Sequence, residues 1–516
     1  MAERAQPVTP VPGFGAAALV AALILGTLAA VALRAEPGRG LVTADWAALR
    51  FTLTQATLSA LISVALAVPV ARALARRRFA GRRMLIALLG APFILPVIVA
   101  ILGLLQVFGR SGWISEALGL LGLPPIRIYG LHGVVLAHVF FNLPLATRLI
   151  LQGWQEVPAE RFRLAAQLGC DGRAMFRLIE GPVLARVLPG VLAVIFAICL
   201  TSFAVALTLG GGPRATTIEL AIYQAFTYDF DLGRAALLSA VQLALTVAAG
   251  AAALVLSRRD GFGAGMDRDL RRWDGGAALL DAVWIALAAL FLLLPLMAVV
   301  LSGLSGLADM PVQVLRAALV SAVVAAASTG LLLALALPMA AAVATRTTGG
   351  LVELAGILGL AASPLVIGTG LFIAIRPLAD PAALALPVTA LVNAVMALPF
   401  ALRILVPAAR DTVARHGRLA LSLDMTGWVF VRRVLIPRLR PQIGFAAGLT
   451  AALSMGDLGV IALFADPGTA TLPLQIYRLM GAYQMQAAAG GALLLLVLSM
   501  GAFWLLDKGG RRHAEA

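Results

Sequence analysis

Long apolar runs alternate with short polar segments along the whole chain. Each run holds about 18 or more residues with few charges, which is long enough for a helix to cross a bilayer. This pattern predicts an all-α polytopic membrane protein with about twelve transmembrane helices, six in each half of the chain. The predicted spans are 15–33, 52–75, 85–108, 131–152, 187–209, 234–256, 279–303, 317–344, 352–375, 385–407, 442–464 and 487–506.

Basic residues are concentrated in alternate polar segments. If the N-terminus is cytoplasmic, roughly 30 of the 40 Lys and Arg residues lie on the cytoplasmic side, as the positive-inside rule requires. The pattern therefore predicts that both termini are cytoplasmic. The small residues Ala30-Val31-Ala32 leave open a cleaved signal peptide. We favour a retained first span, because the later spans then alternate correctly.

Two basic loops, 163–182 and 418–437, repeat each other at a shift of 255 positions. A repeat of this kind indicates two homologous halves with a pathway between them. We predict a first half at 1–256, a cytoplasmic linker at 257–276 and a second half at 277–516. The matched pairs are Arg163 with Arg418, Leu164 with Leu419, Ala165 with Ala420, Gly169 with Asp424, Gly172 with Gly427 and Pro182 with Pro437.

Prolines also recur at corresponding points of the two halves. Pro69 matches Pro338, and Pro96 matches Pro364. A proline inside a span frees a backbone carbonyl and can kink the helix. Proline is also widely tolerated in membrane helices. Its recurrence in both halves favours a shared architectural role.

Composition supports a membrane protein and excludes a soluble one. Hydrophobic residues make up 61% of the chain, charged residues only 13%, and the mean hydropathy is +0.97. A soluble domain carries about a quarter charged residues. The net charge of +15 is a feature of nucleic-acid-binding proteins as well, but here the positive-inside distribution accounts for it.

No catalytic or cofactor-binding motif is visible. The only lysine is Lys508, and no Gly-x-x-x-x-Gly-Lys phosphate-binding loop precedes it. The four histidines have no partner ligand at a metal-binding helical spacing, and no Ser/His/Asp arrangement is present. We therefore predict that the chain is not an enzyme and holds neither a metal nor a cofactor.

Each repeated loop is predicted to form a short helix, a glycine turn and a second helix that ends near a proline. Small apolar and basic residues share the first helix, as Ala165, Ala166 and Arg163 illustrate. Such a helix can dock into a groove on a partner protein, or it can lie on anionic lipid. Two copies at equivalent positions favour docking to a paired partner.

The loops resemble the cytoplasmic coupling loop of ABC-importer permeases, whose pattern is Glu-Ala-Ala, three residues, Gly, then nine residues to Ile-x-Leu-Pro. The match is imperfect. Arg163 and Arg418 replace the acid, Asp424 replaces the second loop's Gly, and Gly181 stands before Pro182. The resemblance implies the type I ABC importer permease fold and loops that dock to an ATPase.

Longer strings resemble a narrower family, the fused two-half permeases of bacterial thiamine and thiamine-diphosphate importers. This resemblance implies a location in the bacterial inner membrane, a periplasmic substrate-binding protein and two copies of a separate ATPase that binds ATP and Mg²⁺. The strings are Ile94-Leu95-Pro96-Val97, Gly109-Arg110-Ser111-Gly112-Trp113, 136–144, 207–225 and 454–464.

A thiamine pathway would use carboxylates, amides and aromatic faces, because thiamine is a cation with an aromatic ring. The candidates are Asp457, Asn142, Tyr223 and Tyr477. Asp457 stands out because it lies inside a predicted span. A helix-packing acid and ordinary interfacial tyrosines are the alternatives.

Two other functions remain open at this stage. The same architecture would serve a permease for ferric iron or another small solute. An ion-coupled secondary transporter belongs to a different class and would need membrane-embedded charges. Few such charges are present, and that class leaves the paired loops unexplained.

Overall fold

The chain is described by a computed structural model that covers residues 6–35, 38, 40–90, 94–256, 277–345, 349–360, 362–464 and 469–512. Every regular element in these ranges is helical. Eleven helices there are long and apolar enough to cross a membrane. The prediction of an all-helical polytopic membrane protein is confirmed. The predicted linker 257–276 lies outside the described residues.

The first half contains one long helix for most of its predicted spans. The helices are hydrophobic around most of their circumference, as expected where both lipid and neighbouring helices contact them. In chain order they are α1 (Val11–Arg34), α2 (Thr43–Arg76), α3 (Arg82–Leu88), α4 (Val97–Phe108), α5 (Trp113–Leu120), α6 (Leu131–Gln155), α7 (Ala159–Gln167), α8 (Gly172–Met175), α9 (Gly181–Leu200), α10 (Phe203–Leu209), α11 (Ile218–Thr227) and α12 (Leu232–Leu256).

The second half repeats this order with two differences, the first of which is that no helix in the described residues corresponds to α5. A single helix of 38 residues, α17, replaces the separate α6 and α7. The second-half helices are α13 (Ala278–Gly306), α14 (Val312–Thr345), α15 (Gly349–Ile357), α16 (Pro364–Ile375), α17 (Ala385–Ser422), α18 (Trp428–Phe430), α19 (Ile436–Met455), α20 (Gly459–Phe464), α21 (Leu472–Gly481) and α22 (Met485–Arg512).

The two halves exchange their first helices. Helix α1 packs against α14, α15 and α16 of the second half, and α13 packs against α2 and α4 of the first. Glycines permit the close approach: a Cβ added at Gly13 would lie 2.4 Å from the carbonyl oxygen of Pro338, and one at Gly103 would lie 2.4 Å from that of Pro295. The halves therefore share one continuous helical body.

In each half, one predicted span is divided into two helices, and the second of the two begins at a proline. The predicted spans 85–108 and 352–375 are each divided, so that α4 follows Pro96 and α16 starts at Pro364. Ser363 stabilises the second start, because its Oγ accepts a hydrogen bond of 3.2 Å from the backbone N–H of Val366. Only the second division removes a candidate span from the described residues, because α16 alone is too short, whereas α4 and α5 together form the candidate span Val97–Leu120.

A second matched pair of breaks divides the predicted spans 187–209 and 442–464. Helix α9 ends before Thr201, and α19 ends before Gly456. Backbone carbonyls freed inside a membrane need new partners. In the first half Gln55 Nε2 donates 2.9 Å to the carbonyl of Cys199, and Gln242 Nε2 donates 2.9 Å to that of Leu200. These two glutamines therefore supply hydrogen-bond donors to the backbone carbonyls at the end of α9.

A buried polar contact recurs beside these second breaks. In the first half Ser59 Oγ lies 3.1 Å from Nδ1 of His138. In the second half Ser328 Oγ lies 2.9 Å from Ser454 Oγ, which also accepts 3.0 Å from Asn393 Nδ2. Ser59 and Ser328 differ by 269 positions, and His138 and Asn393 by 255. The repeat therefore extends from sequence to side-chain contacts in the core.

Candidate functional site

The two basic loops have the same backbone geometry at their turns. The N–H of Cys170 donates 3.0 Å to the carbonyl of Ala165, and the N–H of Met425 donates 2.8 Å to that of Ala420. Each bond joins residues five positions apart and closes the end of a helix at a residue in the left-handed conformation. The pairs are related by the same shift of 255 positions.

Asp424 occupies the left-handed position that glycine holds in the first loop. Its φ is 54°, and that of Gly169 is 68°. Aspartate tolerates this conformation better than most residues with a side chain. The substitution that departs from the coupling-loop pattern therefore preserves the turn.

Each loop exposes leucines and buries alanine. The exposed fraction is 57% for Leu164 and 60% for Leu419, whereas Ala165 and Ala420 are buried. The exposed leucines lie next to exposed arginines on both loops, so each loop presents apolar and basic surface together. Of the other predicted residues, Arg163, Gly169, Gly172, Pro182, Arg418 and Asp424 are exposed, and Ala166, Gly427 and Pro437 are half-buried.

The predicted second helix of each loop was wrong in one respect. It does not end near the proline but continues into the next span through a π-helical turn, Phe176–Glu180 in the first loop and Val431–Leu435 in the second. Pro182 and Pro437 sit in the first turns of α9 and α19. Proline has no N–H and therefore leaves a carbonyl of the preceding turn without its usual helical donor, and the wider π-helical turn lies at this point of each helix. Each loop is therefore joined rigidly to a membrane helix.

The two loops are anchored differently to the rest of the protein. Arg72 Nε lies 2.7 Å from Oε2 of the buried Glu180, and its guanidinium stacks 5.2 Å from the centre of the Phe176 ring. In the second loop the N–H of Gly427 donates 2.8 Å to the carbonyl of Pro7. An ion pair therefore fixes the first loop, and the N-terminal segment fixes the second.

Asp457 lies at the break between α19 and α20, where the two halves meet. Its Oδ1 accepts 3.2 Å from the N–H of Gly459, while its Oδ2 is buried and has no hydrogen-bond partner within the described ranges. The adjacent Gly456 packs against Pro96 of the first half, because an added Cβ would lie 3.1 Å from that proline. Asp457 is half-buried. It is an acid at a helix break on the boundary between halves.

The predicted tyrosines belong to one aromatic cluster at the same boundary. Tyr223 stacks edge-to-face with Phe203 at 5.3 Å and with Tyr228 at 6.0 Å between ring centres. Tyr477, from the second half, packs against the hydrophobic cluster that contains Phe203 and Tyr223. The structure thus brings together Tyr223 and Tyr477, which the repeat relates by a shift of 254 positions.

Asn142 lies elsewhere. It is buried in α6, and its Nδ2 donates 3.3 Å to Sγ of Cys199 in α9. Both helices belong to the first half, so this amide holds that half's own core together.

Glu219 is a candidate that sequence reasoning missed. It is fully buried in α11, one helical turn before Tyr223, and both of its carboxylate oxygens lack hydrogen-bond partners among the described residues. The sequence signal that could have identified it is an acid directly between the apolar residues Ile218 and Leu220. No group of three or more metal-ligating side chains occurs in the part of the chain that the structure describes.

The fold and these two sites define a polytopic membrane protein of two similar halves, each with one exposed basic loop. No family model matches the chain. Among curated proteins, the thiamine transport system permease protein ThiP of Brucella abortus (strain 2308) is 41% identical, over 99% of this chain and 97% of the relative. ThiP of Salmonella typhimurium is 40% identical over the full length of both chains, and that of Escherichia coli (strain K12) is 39% identical over 98% of each.

The chain belongs to the family of thiamine transport system permease proteins. The predicted resemblance to fused two-half permeases is confirmed. The eleven candidate spans among the described residues make it an integral membrane protein, and its relatives are permeases rather than enzymes.

Proposed function

We propose that this chain is the membrane-spanning subunit of an ATP-driven importer that passes thiamine, or its mono- or diphosphate, across the bacterial inner membrane. The observation that carries the proposal is identity of about 40% to thiamine permeases over the full length of both chains. The two halves form one pseudo-symmetric pathway, with Asp457 and the tyrosine cluster at the boundary between them.

Two copies of a separate ATPase subunit dock on the two loops, one copy on each. The exposed Leu164 and Leu419, each beside an arginine, supply the apolar and basic surface for this contact. ATP and Mg²⁺ bind in that partner. This division of labour agrees with the absence of a phosphate-binding loop from the sequence.

The termini and the basic loops face the cytoplasm. Two observations support this orientation: the arginine distribution follows the positive-inside rule, and the contact of Pro7 with Gly427 puts the N-terminal segment beside the second loop. A periplasmic substrate-binding protein then docks on the opposite face, at the exposed residues of the segments 210–233 and 465–486, among them 228–230 and 481–486. Residues 465–468 of that surface lie outside the described residues.

ATP binding closes the two ATPase subunits, and the loops transmit this movement to the helices. Each loop continues through a π-helical turn into α9 or α19, so displacement of a loop moves the helix end beside Ser202 or Asp457. The halves then rock between inward-open and outward-open states around the helix breaks.

Genetic complementation tests the proposal. The chain is expressed with its ATPase and binding protein in a thiamine-requiring bacterium that lacks its own thiamine permease. Growth on limiting thiamine is expected, with none when any one component is omitted. Growth of an iron-uptake mutant instead would favour the ferric iron alternative. Thiamine uptake that persists without the ATPase and follows an ion gradient would favour a secondary transporter.

A further inference from the structure

Glu219 is a fully buried acid that has no ion pair and no full hydrogen bond among the described residues. Its exposed fraction is 0%, and neither Oε1 nor Oε2 has a hydrogen-bond partner in the described ranges. A buried carboxylate without donors is costly, because it loses hydration without gaining a compensating partner. A buried acid without full hydrogen bonds is therefore a candidate for a functional role.

The neighbours of Glu219 come from both halves of the protein. Gln242 of α12 and Ser363 at the start of α16 lie close enough to the carboxylate to interact with it as polar neighbours, but neither reaches it with the geometry of a full hydrogen bond. Gln242 Nε2 instead donates to the carbonyl of Leu200, and Ser363 Oγ accepts from the N–H of Val366. Gln242 Oε1 is also without a partner among the described residues. Unpaired oxygens therefore gather at a contact between the halves.

The acid shares a helix face with the aromatic cluster. Glu219 and Tyr223 are four residues apart on α11 and lie above one another. Tyr223 contacts Phe203, and Phe203 in turn packs near Gly459, two residues from Asp457. A carboxylate next to aromatic faces is the chemistry that recognises an organic cation. In the second half the equivalent position is the buried Pro473, so the charge is on one side only.

We propose that Glu219 recognises the positive charge of the substrate at the boundary between the two halves. This inference rests on the proposed function, because thiamine carries a permanent positive charge on its thiazolium ring. When the halves move apart, Glu219 separates from Ser363 and becomes accessible. It then supplies the counter-charge, and Tyr223 supplies the aromatic face.

The experiment compares Glu219→Gln with Glu219→Asp in vesicles that contain the complete transporter and its binding protein. Thiamine uptake and ATP hydrolysis are both measured, which gives thiamine transported per ATP. We expect Glu219→Gln to lower this ratio about tenfold while ATP hydrolysis stays within about twofold. Glu219→Asp keeps the charge and should transport more than Glu219→Gln. Glu116→Gln, at an exposed acid of α5, is the matched control and should transport normally.

If Glu219 had only a structural role, the transport ranking of the two variants would be reversed. Glutamine has the shape of glutamate without its charge, so Glu219→Gln should then equal or exceed wild type and surpass Glu219→Asp. That order would overturn the proposal, as would a Glu219→Gln protein that fails to assemble. We also expect the thermal unfolding midpoint of Glu219→Gln to equal or exceed that of wild type, because a buried unpaired acid is removed. If the wild-type complex takes up no thiamine, the proposed function fails instead.

Discussion

The backbone N–H of Gly427 donates a hydrogen bond of 2.8 Å to the carbonyl oxygen of Pro7. This contact joins the N-terminal segment to the turn of the second basic loop, more than 400 positions away. The neighbouring Val8 is buried in the core of the second half. Together with the exchanged helix α1, the contact makes the start of the chain part of the second half's structure.

A charge at Val8 should destabilise the second loop. Val8→Asp removes an apolar side chain that is only 7% exposed, and we expect a loss of about 2 kcal/mol in the free energy of unfolding. The thermal unfolding midpoint of the purified protein measures it. Thr9→Asp, at the next and exposed residue, is the control and should leave the midpoint unchanged. Equal midpoints for the two variants would contradict the packing of this segment.

The turn at Asp424 predicts an unusual order of stability among substitutions at this position. Because its φ is 54°, Asp424→Gly should preserve or raise stability, whereas Asp424→Val should cost about 1–2 kcal/mol. Gly169→Val, at the corresponding turn of the first loop, should behave like Asp424→Val. Chemical or thermal unfolding distinguishes the variants. A stable Asp424→Val protein would mean that this residue does not adopt the left-handed conformation.

Most of the membrane architecture was predictable from the sequence. Lipid demands continuous apolar helices, so hydropathy alone located nearly every span. The breaks at Thr201 and Gly456 were not predicted, because one or two polar residues, such as Ser202 or Asp457, do not interrupt an apolar run that is long enough to span the membrane. The partners that permit the first of these breaks, Gln55 and Gln242, lie in other helices far away in sequence.

The exchange of the first helices was also beyond sequence reasoning. Helices α1 and α13 are apolar on nearly every face, so their periodicity does not indicate which neighbour they contact. The signal lay in glycines such as Gly13 and Gly103, whose close contacts become visible only in three dimensions. In the candidate site, Tyr223 and Tyr477, which the repeat relates, pack into one hydrophobic cluster, whereas Asn142 lies within the core of one half.

The exposed leucines of the two loops should carry the contact with the ATPase. Leu164→Asp and Leu419→Asp should each weaken association about tenfold, and the double variant should lose most of it, because both sites bind one paired partner. Co-purification and the ATPase dissociation constant measure the effect. Leu120→Asp, at a leucine that is 90% exposed outside the loops, should associate normally. Normal association of the double variant would exclude these loops as the docking surface.

Asp457 should matter for transport rather than for assembly. Asp457→Asn keeps an oxygen that can accept from the N–H of Gly459 but removes the charge at the break. We expect ATP-dependent thiamine uptake to fall about tenfold, with ATPase association unchanged. A variant that loses stability and association in step with uptake would identify Asp457 as a helix-packing acid.

The most direct test of the central claim is thiamine uptake by vesicles that contain this chain, its ATPase and a thiamine-binding protein. Labelled thiamine is supplied with ATP, without ATP, and with an imposed proton or sodium gradient in place of ATP. The account predicts uptake only with ATP and only when all three proteins are present. Uptake that is driven by an ion gradient, or that proceeds without the ATPase, would contradict it.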